Sequence, residues 1–273
     1  GAVDSAGGSG GSGVVILKYA NTVTETIAGS LAGGITTGTT GLCSWPTSSN
    51  GVSLFQLENN ITDTCGNSTA SWSGTAAYSS TAKFGSYSAE FSGGSGGTAI
   101  DTGVDPDASS DWTVSMWMYR TNTSAFDWLF GSIDSGLNNG FGVSFYNQAS
   151  SGKFDVYIRT GGGNTARTQG GETNFNTWEH IALTHNSSGS GSTTIYQNGK
   201  ILTGITLGAN PMIGNQTSPE NWFIGSGGAW NTERFKGYID QARFYDTELT
   251  ATEIQLLYAE SAGATKFTES SDT

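Results

Sequence analysis

Trp112–Tyr119 reads W-T-V-S-M-W-M-Y, and the fold turns on how that stretch is covered. Side chains alternate across a strand, so Trp112, Val114, Met116 and Met118 share one face and Thr113, Ser115, Trp117 and Tyr119 the other. Two faces this apolar predict a strand covered on both sides, or covered on one side and opening onto an aromatic cleft on the other. Phe141–Tyr146 and Lys153–Arg159 are expected as neighbouring strands joined by a polar turn over 147–152. Thr193–Tyr196 and Ile201–Thr206 flank Gln197-Asn198-Gly199-Lys200, where Asn-Gly suits the two positive φ values of a type I′ hairpin turn. Turn signals recur at short intervals from Gly51 to about Tyr258, which predicts one β domain. Near its end Thr250-x-x-Glu253 forms a capping box, followed by Ile254, Leu257 and Tyr258 at helical spacing. One short C-terminal helix closing an otherwise all-β domain predicts a two-sheet antiparallel sandwich.

Composition supports a β fold and removes several alternatives. The 273 residues include 41 glycines, and only 12% are charged, against about 25% for an ordinary soluble domain. Four prolines without a regular glycine triplet exclude collagen. Thirteen Phe, ten Tyr and eight Trp exclude full disorder, because such side chains need a core. The longest apolar run, Val14–Leu17, falls far short of the ~20 residues of a membrane-spanning helix. A net charge of −12, with 11 basic residues scattered singly, repels phosphate and anionic lipid. Neither nucleic acid nor membrane insertion is therefore expected.

The chain divides into an arm over 1–50, the domain over 51–259 and a polar tail over 260–273. The arm holds GGSGGSG at Gly7–Gly13, a short strand at Val14–Tyr19, and a Thr/Gly/Ala/Ser-rich stretch that is either extended or a linker. It opens on Gly without a charged-then-apolar leader, so a processed product or a piece of a longer polypeptide is expected. Cys43 and Cys65 are too few for a disulfide framework and make either one bridge or two buried thiols.

Three segments in order resemble the concanavalin A-like, laminin-G-type jelly roll. The first is Leu54–Gly66 (LFQLENNITDTCG) with Lys83–Phe91 (KFGSYSAEF). The second is Trp178–Leu183 (WEHIAL) with Thr194–Lys200 (TIYQNGK). The third is Gly237–Tyr258 (GYIDQARFYDTELTATEIQLLY). The resemblance spans roughly residues 51–258 and implies two antiparallel sheets, one curved, often with a calcium ion and often with glycan bound at a concave face or rim. GGSGGSGVVILKY in turn resembles the end of glycine-rich modules in structural proteins of tailed bacteriophages. That context implies a place on the virion surface after assembly in the host cytoplasm, in a fibre, an appendage or a capsid decoration. The partners it implies are other virion subunits, further copies in a homo-oligomer, and cell-surface glycans.

The chemistry-bearing residues point to binding and not to catalysis. Related glucanases place carboxylates in an E-x-D-x-x-E pattern on one strand; this chain has none. His180 and His185 stand at odd spacing on one strand and so face opposite ways. No G-x-S-x-G context marks a nucleophile, and no Cys/His quartet suits zinc. The resemblance implies one structural Ca2+ held by Asp63 and Asp240, with Asn67 a third candidate. The alternative makes Asp63 an Asx-turn residue and pairs Asp240 with Arg243 or Lys236. For sugar, the glycine-rich loop Gly225–Phe235 offers Trp230, Asn231 and Arg234, an aromatic face beside amide and guanidinium groups. Equally, Trp230 folds back on the sandwich or onto a neighbouring subunit. Trp128 with Asn138 and Asn139 forms a second cluster, whereas Trp112, Trp117, Trp178 and Trp222 read as core.

Overall fold

Short apolar runs punctuated by glycine become strands here because each can bury one face only by pairing and stacking with others. The computed structural model describes residues 51–105, 110–121, 127–136, 140–148, 151–160, 163–188, 192–202, 221–228 and 233–260. In chain order the strands are β1 (Ser53–Phe55), β2 (Ser71–Ser73), β3 (Tyr78–Ser79), β4 (Ser88–Gly94), β5 (Ala99–Asp101), β6 (Trp112–Arg120), β7 (Asp127–Gly131) and β8 (Gly140–Gln148). They continue with β9 (Ser151–Thr160), β10 (Gly163–Thr173), β11 (Trp178–Asn186), β12 (Ser192–Gln197), β13 (Lys200–Ile201), β14 (Phe223–Ile224) and β15 (Arg234–Tyr245), and helix α1 (Ala251–Ala259) follows. The arm, the tail beyond residue 260, Thr203–Thr206 of the expected hairpin, Asn138 and Asn139 lie outside the described residues.

Pairing sorts the strands into two layers. The front sheet runs β3-β4-β15-β6-β11-β12-β13, and β1 continues the edge of β15 beyond β4. The back sheet runs β2-β5-β14-β7-β8-β9-β10. Neighbours within each layer are antiparallel, and the layers join where Arg234 pairs in parallel with Trp128. Between them lies the main core. Trp112, Val114, Met116 and Met118 of β6 meet Phe141, Val143 and Phe145 of β8 and Phe154 and Val156 of β9. Trp112 and Phe141 cross the gap edge to face at 5.3 Å.

The other face of the front sheet is covered as well. Ala182, Tyr196 and Tyr245 form a second apolar cluster with Leu54, Leu249, Ile254 and Leu257. The capping box fixes where α1 begins: Glu253 N donates to Thr250 Oγ1, and Thr250 N donates to Glu253 Oε2. Asn198 and Gly199 take φ of 52° and 74°, the geometry expected of their turn. Trp117 is core, as its pattern suggests, but it belongs to this outer layer. Its ring stacks on Tyr258 at 5.7 Å and lies 3.8 Å from Lys83 Nζ.

At Gly237 the backbones of β15 and β6 leave no room for a side chain. Its φ is +147°, and a Cβ built there would stand 2.1 Å from the backbone oxygen of Tyr119. Gly237→Ala is expected to destabilise the domain by about 2–4 kcal/mol, measured as a lower urea midpoint with an unchanged m-value.

Candidate functional site: a cleft at one end of the sandwich

Four separate segments converge at one end of the two sheets. Thr102 Oγ1 donates to the carbonyl of Trp222 at 2.6 Å, and Trp222 N donates to the carbonyl of Val104 at 2.8 Å. These bonds clamp the exit of β5 to the approach to β14. Thr113 Oγ1 donates to the carbonyl of Thr247 and accepts from Leu249 N, which ties the start of β6 to the exit of β15. Between the two clamps opens a cleft of about 340 Å³. Trp112, Trp222 and Phe244 are buried in its floor, and Asp105, Asp111 and Asp246 line it above them. Trp222 packs edge to face on Trp112 at 5.2 Å, so the two rings form one continuous floor.

The three carboxylates differ in how they are held. Asp105 and Asp246 are exposed. Asp111 is half-buried, and its Oδ1 accepts from both the backbone N and the hydroxyl of Ser187 at 2.7 Å. Those two bonds hold its carboxyl below the usual carboxylate range, because they favour the charged form. Such a site accepts hydrogen bonds at its rim and offers apolar surface beneath, a combination that suits an amphipathic, hydroxyl-rich ligand.

The structure distributes the sequence-predicted residues differently. Arg234 is 1% exposed, with its guanidinium 3.4 Å from Ser73 Oγ. It sits where the two layers join and not on a ligand-facing loop. Trp230 and Asn231 lie outside the described residues. Trp128 is buried against Gly142, which removes it from any exposed cluster. The cleft itself escaped the sequence reading, because its residues are far apart in the chain and its two tryptophans sit in core-like patterns.

Asp63, Asn67 and Asp240 do not fit a calcium shell. Asp63 Oδ1 accepts from Leu54 N and Cys65 N, and its Oδ2 from Asn67 N, Ser68 N and Ser68 Oγ. Both oxygens face N–H and O–H hydrogens, the reverse of what a cation requires. The side chain of Asn67 is turned away, with Nδ2 donating to the Val52 carbonyl. Asp240 flanks a bulge at which Gln241 takes a φ of 51°. Its Oδ2 accepts from Lys83 N and Phe84 N, and burial pushes its carboxyl up to about 7. Arg243 pairs instead with Glu260 at 2.6 Å. Among the described residues no three His, Cys, Asp or Glu side chains stand together as a metal site. Cys65 is disulfide-bonded; Cys43 lies outside the described residues.

Beneath α1 lies a buried polar layer. Ser115 Oγ and His180 Nε2 are 2.8 Å apart, whereas His185 points to the opposite face and stacks on Trp112 at 5.1 Å. The Ser115–His180 pair has the contact of a nucleophile and its base, yet both residues are fully buried, so no substrate reaches them. Burial, with Arg243 and Lys83 adding to it, lowers His180 to about 3. A second buried pair, Arg120 and Asp127 at 2.5 Å, closes an edge of the main core. Burial still pushes Asp127 up to about 6 against the pull of Arg120.

Two antiparallel sheets stacked in this way, closed by one short helix, form a lectin-like jelly roll. The chain is a member of the concanavalin A-like lectin/glucanases superfamily, whose family match spans residues 92–255. Among solved structures it is similar to domain 4 of an extracellular arabinanase from Geobacillus stearothermophilus, solved in complex with arabinotriose. That likeness has 22% identity and a TM-score of 0.57, over 76% of this chain and 97% of that one. It is also similar to the botulinum neurotoxin serotype D binding domain (14% identity, TM-score 0.55, 77% of this chain) and to the Trypanosoma rangeli sialidase (15%, 0.56, 76%). The match covers 50% of the toxin chain and 32% of the sialidase. At these identities the likeness establishes the fold. No curated protein matches the chain.

Two outcomes follow from this geometry. Asp63→Ala is expected to cost about 3 kcal/mol, since it strips buried donors of their acceptor. The loss should be the same in excess calcium and in chelator, read by urea denaturation. His180 is neutral when folded and titrates at about 6.5 when unfolded, so its contribution to stability is full above pH 6.5 and falls as the pH drops towards 3. His180→Asn removes that dependence. Wild type should therefore lose up to about 1.4 kcal/mol per pH unit relative to the variant below pH 6.5.

Proposed function

We propose that the chain is a non-catalytic glycan-binding module displayed on a virion, as part of a fibre, an appendage or a capsid decoration, and that it contributes attachment to host-surface or environmental glycans. The observation that carries the glycan reading is the end cleft, where carboxylate acceptors stand above an aromatic floor in a lectin-like fold. The arabinotriose held by the arabinanase domain, a relative matched along nearly its whole length, supports the same ligand class. The burial of Ser115 and His180 supports the non-catalytic part. The virion context rests on the glycine-rich GGSGGSG segment upstream. Trp230 and Asn231 are proposed as further contacts from their own loop, and a structural Ca2+ would have to find ligands other than Asp63.

A purely structural role without ligand is favoured by a different observation. Leu256 and Tyr258 on α1 and Ile201 on the adjoining β13 are exposed, an apolar strip suited to packing against another subunit. The arabinanase likeness favours a third reading, the carbohydrate-binding module of a secreted glycanase or adhesin.

A glycan array probed with wild type, Asp246→Ala and Trp230→Ala separates these. The glycan reading predicts signal on at least one oligosaccharide class and roughly tenfold weaker binding after Asp246→Ala. A clean array at millimolar protein, with and without calcium, would sink it and leave the structural role.

A further inference from the structure

We infer that the end cleft takes neutral oligosaccharides and discriminates against acidic ones, a refinement that rests on the glycan reading above. Three carboxylates, Asp105, Asp111 and Asp246, line one cleft of about 340 Å³, and among the described residues no Lys, Arg or His lines it with them. Asp111 is held ionised by Ser187. That residue engages its Oδ1. The rim presents carboxylate acceptors beside the aromatic floor. The vicinal hydroxyls of a neutral sugar supply donors for them in pairs.

A second observation comes from the floor. Trp112 is 4% exposed, and its Nε1–H has no acceptor among the described residues. Trp112 thus lines the cleft with buried ring surface beneath the carboxylates, and its N–H stays enclosed in the protein.

A sialate or uronate entering this cleft would bring a fourth negative charge against three, with no cationic side chain among the described residues that line it. Like charges set together at an interface weaken binding steeply, and the surplus of acidic over basic residues across the chain, 23 to 11, offers no relief at longer range. The cleft sits near the lower end of small-ligand sites, which run from roughly 300 to 1,000 Å³. It therefore suits the end of a chain or a short branch.

The test is a titration of the whole protein with neutral arabino-, xylo- and gluco-oligosaccharides and with uronate- or sialate-bearing counterparts of equal length, at low ionic strength. Neutral ligands should bind, and the acidic ones should bind at least roughly tenfold more weakly. The double variant Asp105→Asn/Asp246→Asn alters two exposed side chains. Its melting temperature is expected to stay unchanged, and the gap between the two ligand classes should narrow. Acidic ligands bound as tightly as neutral ones, or a gap unmoved in the double variant, would overturn the inference and leave glycan binding standing. Absence of binding to either class overturns both.

Discussion

A strand that is apolar on both faces must be roofed on both, and β6 imposes that demand on the whole domain. Its even-numbered residues from Trp112 to Met118 require a second sheet, and the large aromatics of β8 and β9 supply it. Its odd-numbered residues, Trp117 above all, require a second roof. The segment around Lys83 and Phe84, the helix α1 and Leu54 provide it. The result is three layers, with β6 and β15 at the centre. β15 pairs with β6 along one edge and with β4 and then β1 along the other, so the backbone of this doubly buried region is largely paired within the sheet.

Covering the outer face had a cost in polarity. The bulge in β15 turns Asp240 toward the amides of Lys83 and Phe84, while Arg243, Ser115 and His180 are buried and Glu260, at the end of the helix, pairs with Arg243. These groups behave as structural polar contacts in a low-dielectric layer. That explains why a serine and a histidine in contact imply no hydrolytic chemistry here: the same burial that depresses the imidazole also excludes substrate. The chemistry left open to solvent lies at the end of the sandwich, where strands stop and side chains of opposite layers face one another across a gap.

Much of this was legible in the residues themselves. The alternation in Trp112–Tyr119, the Asn198-Gly199 turn and the Thr250–Glu253 capping box all carry local physics, and each appears as read. The site was less legible. Asp63 stands in a turn that matches a ligand position of the resembling family, yet five donors converge on its carboxylate, a number that depends on where β1 lies. Arg234 reads as a loop residue beside Trp230, whereas register places it at the junction of the layers. Asp105, Asp111 and Asp246 had no shared pattern to betray them, since more than 130 residues separate Asp111 from Asp246.

Sequence by itself determined that the domain is an all-β sandwich with one closing helix, and that its balance of charge is strongly acidic, because periodicity, turn chemistry and composition act locally or additively. Tertiary structure alone decided which aromatics are floor and which are roof, which carboxylates are saturated by amides and which stand open, and where the cleft lies. Those outcomes depend on pairings between residues distant in the chain, and a carboxylate takes its chemical character from the donors that folding brings to it.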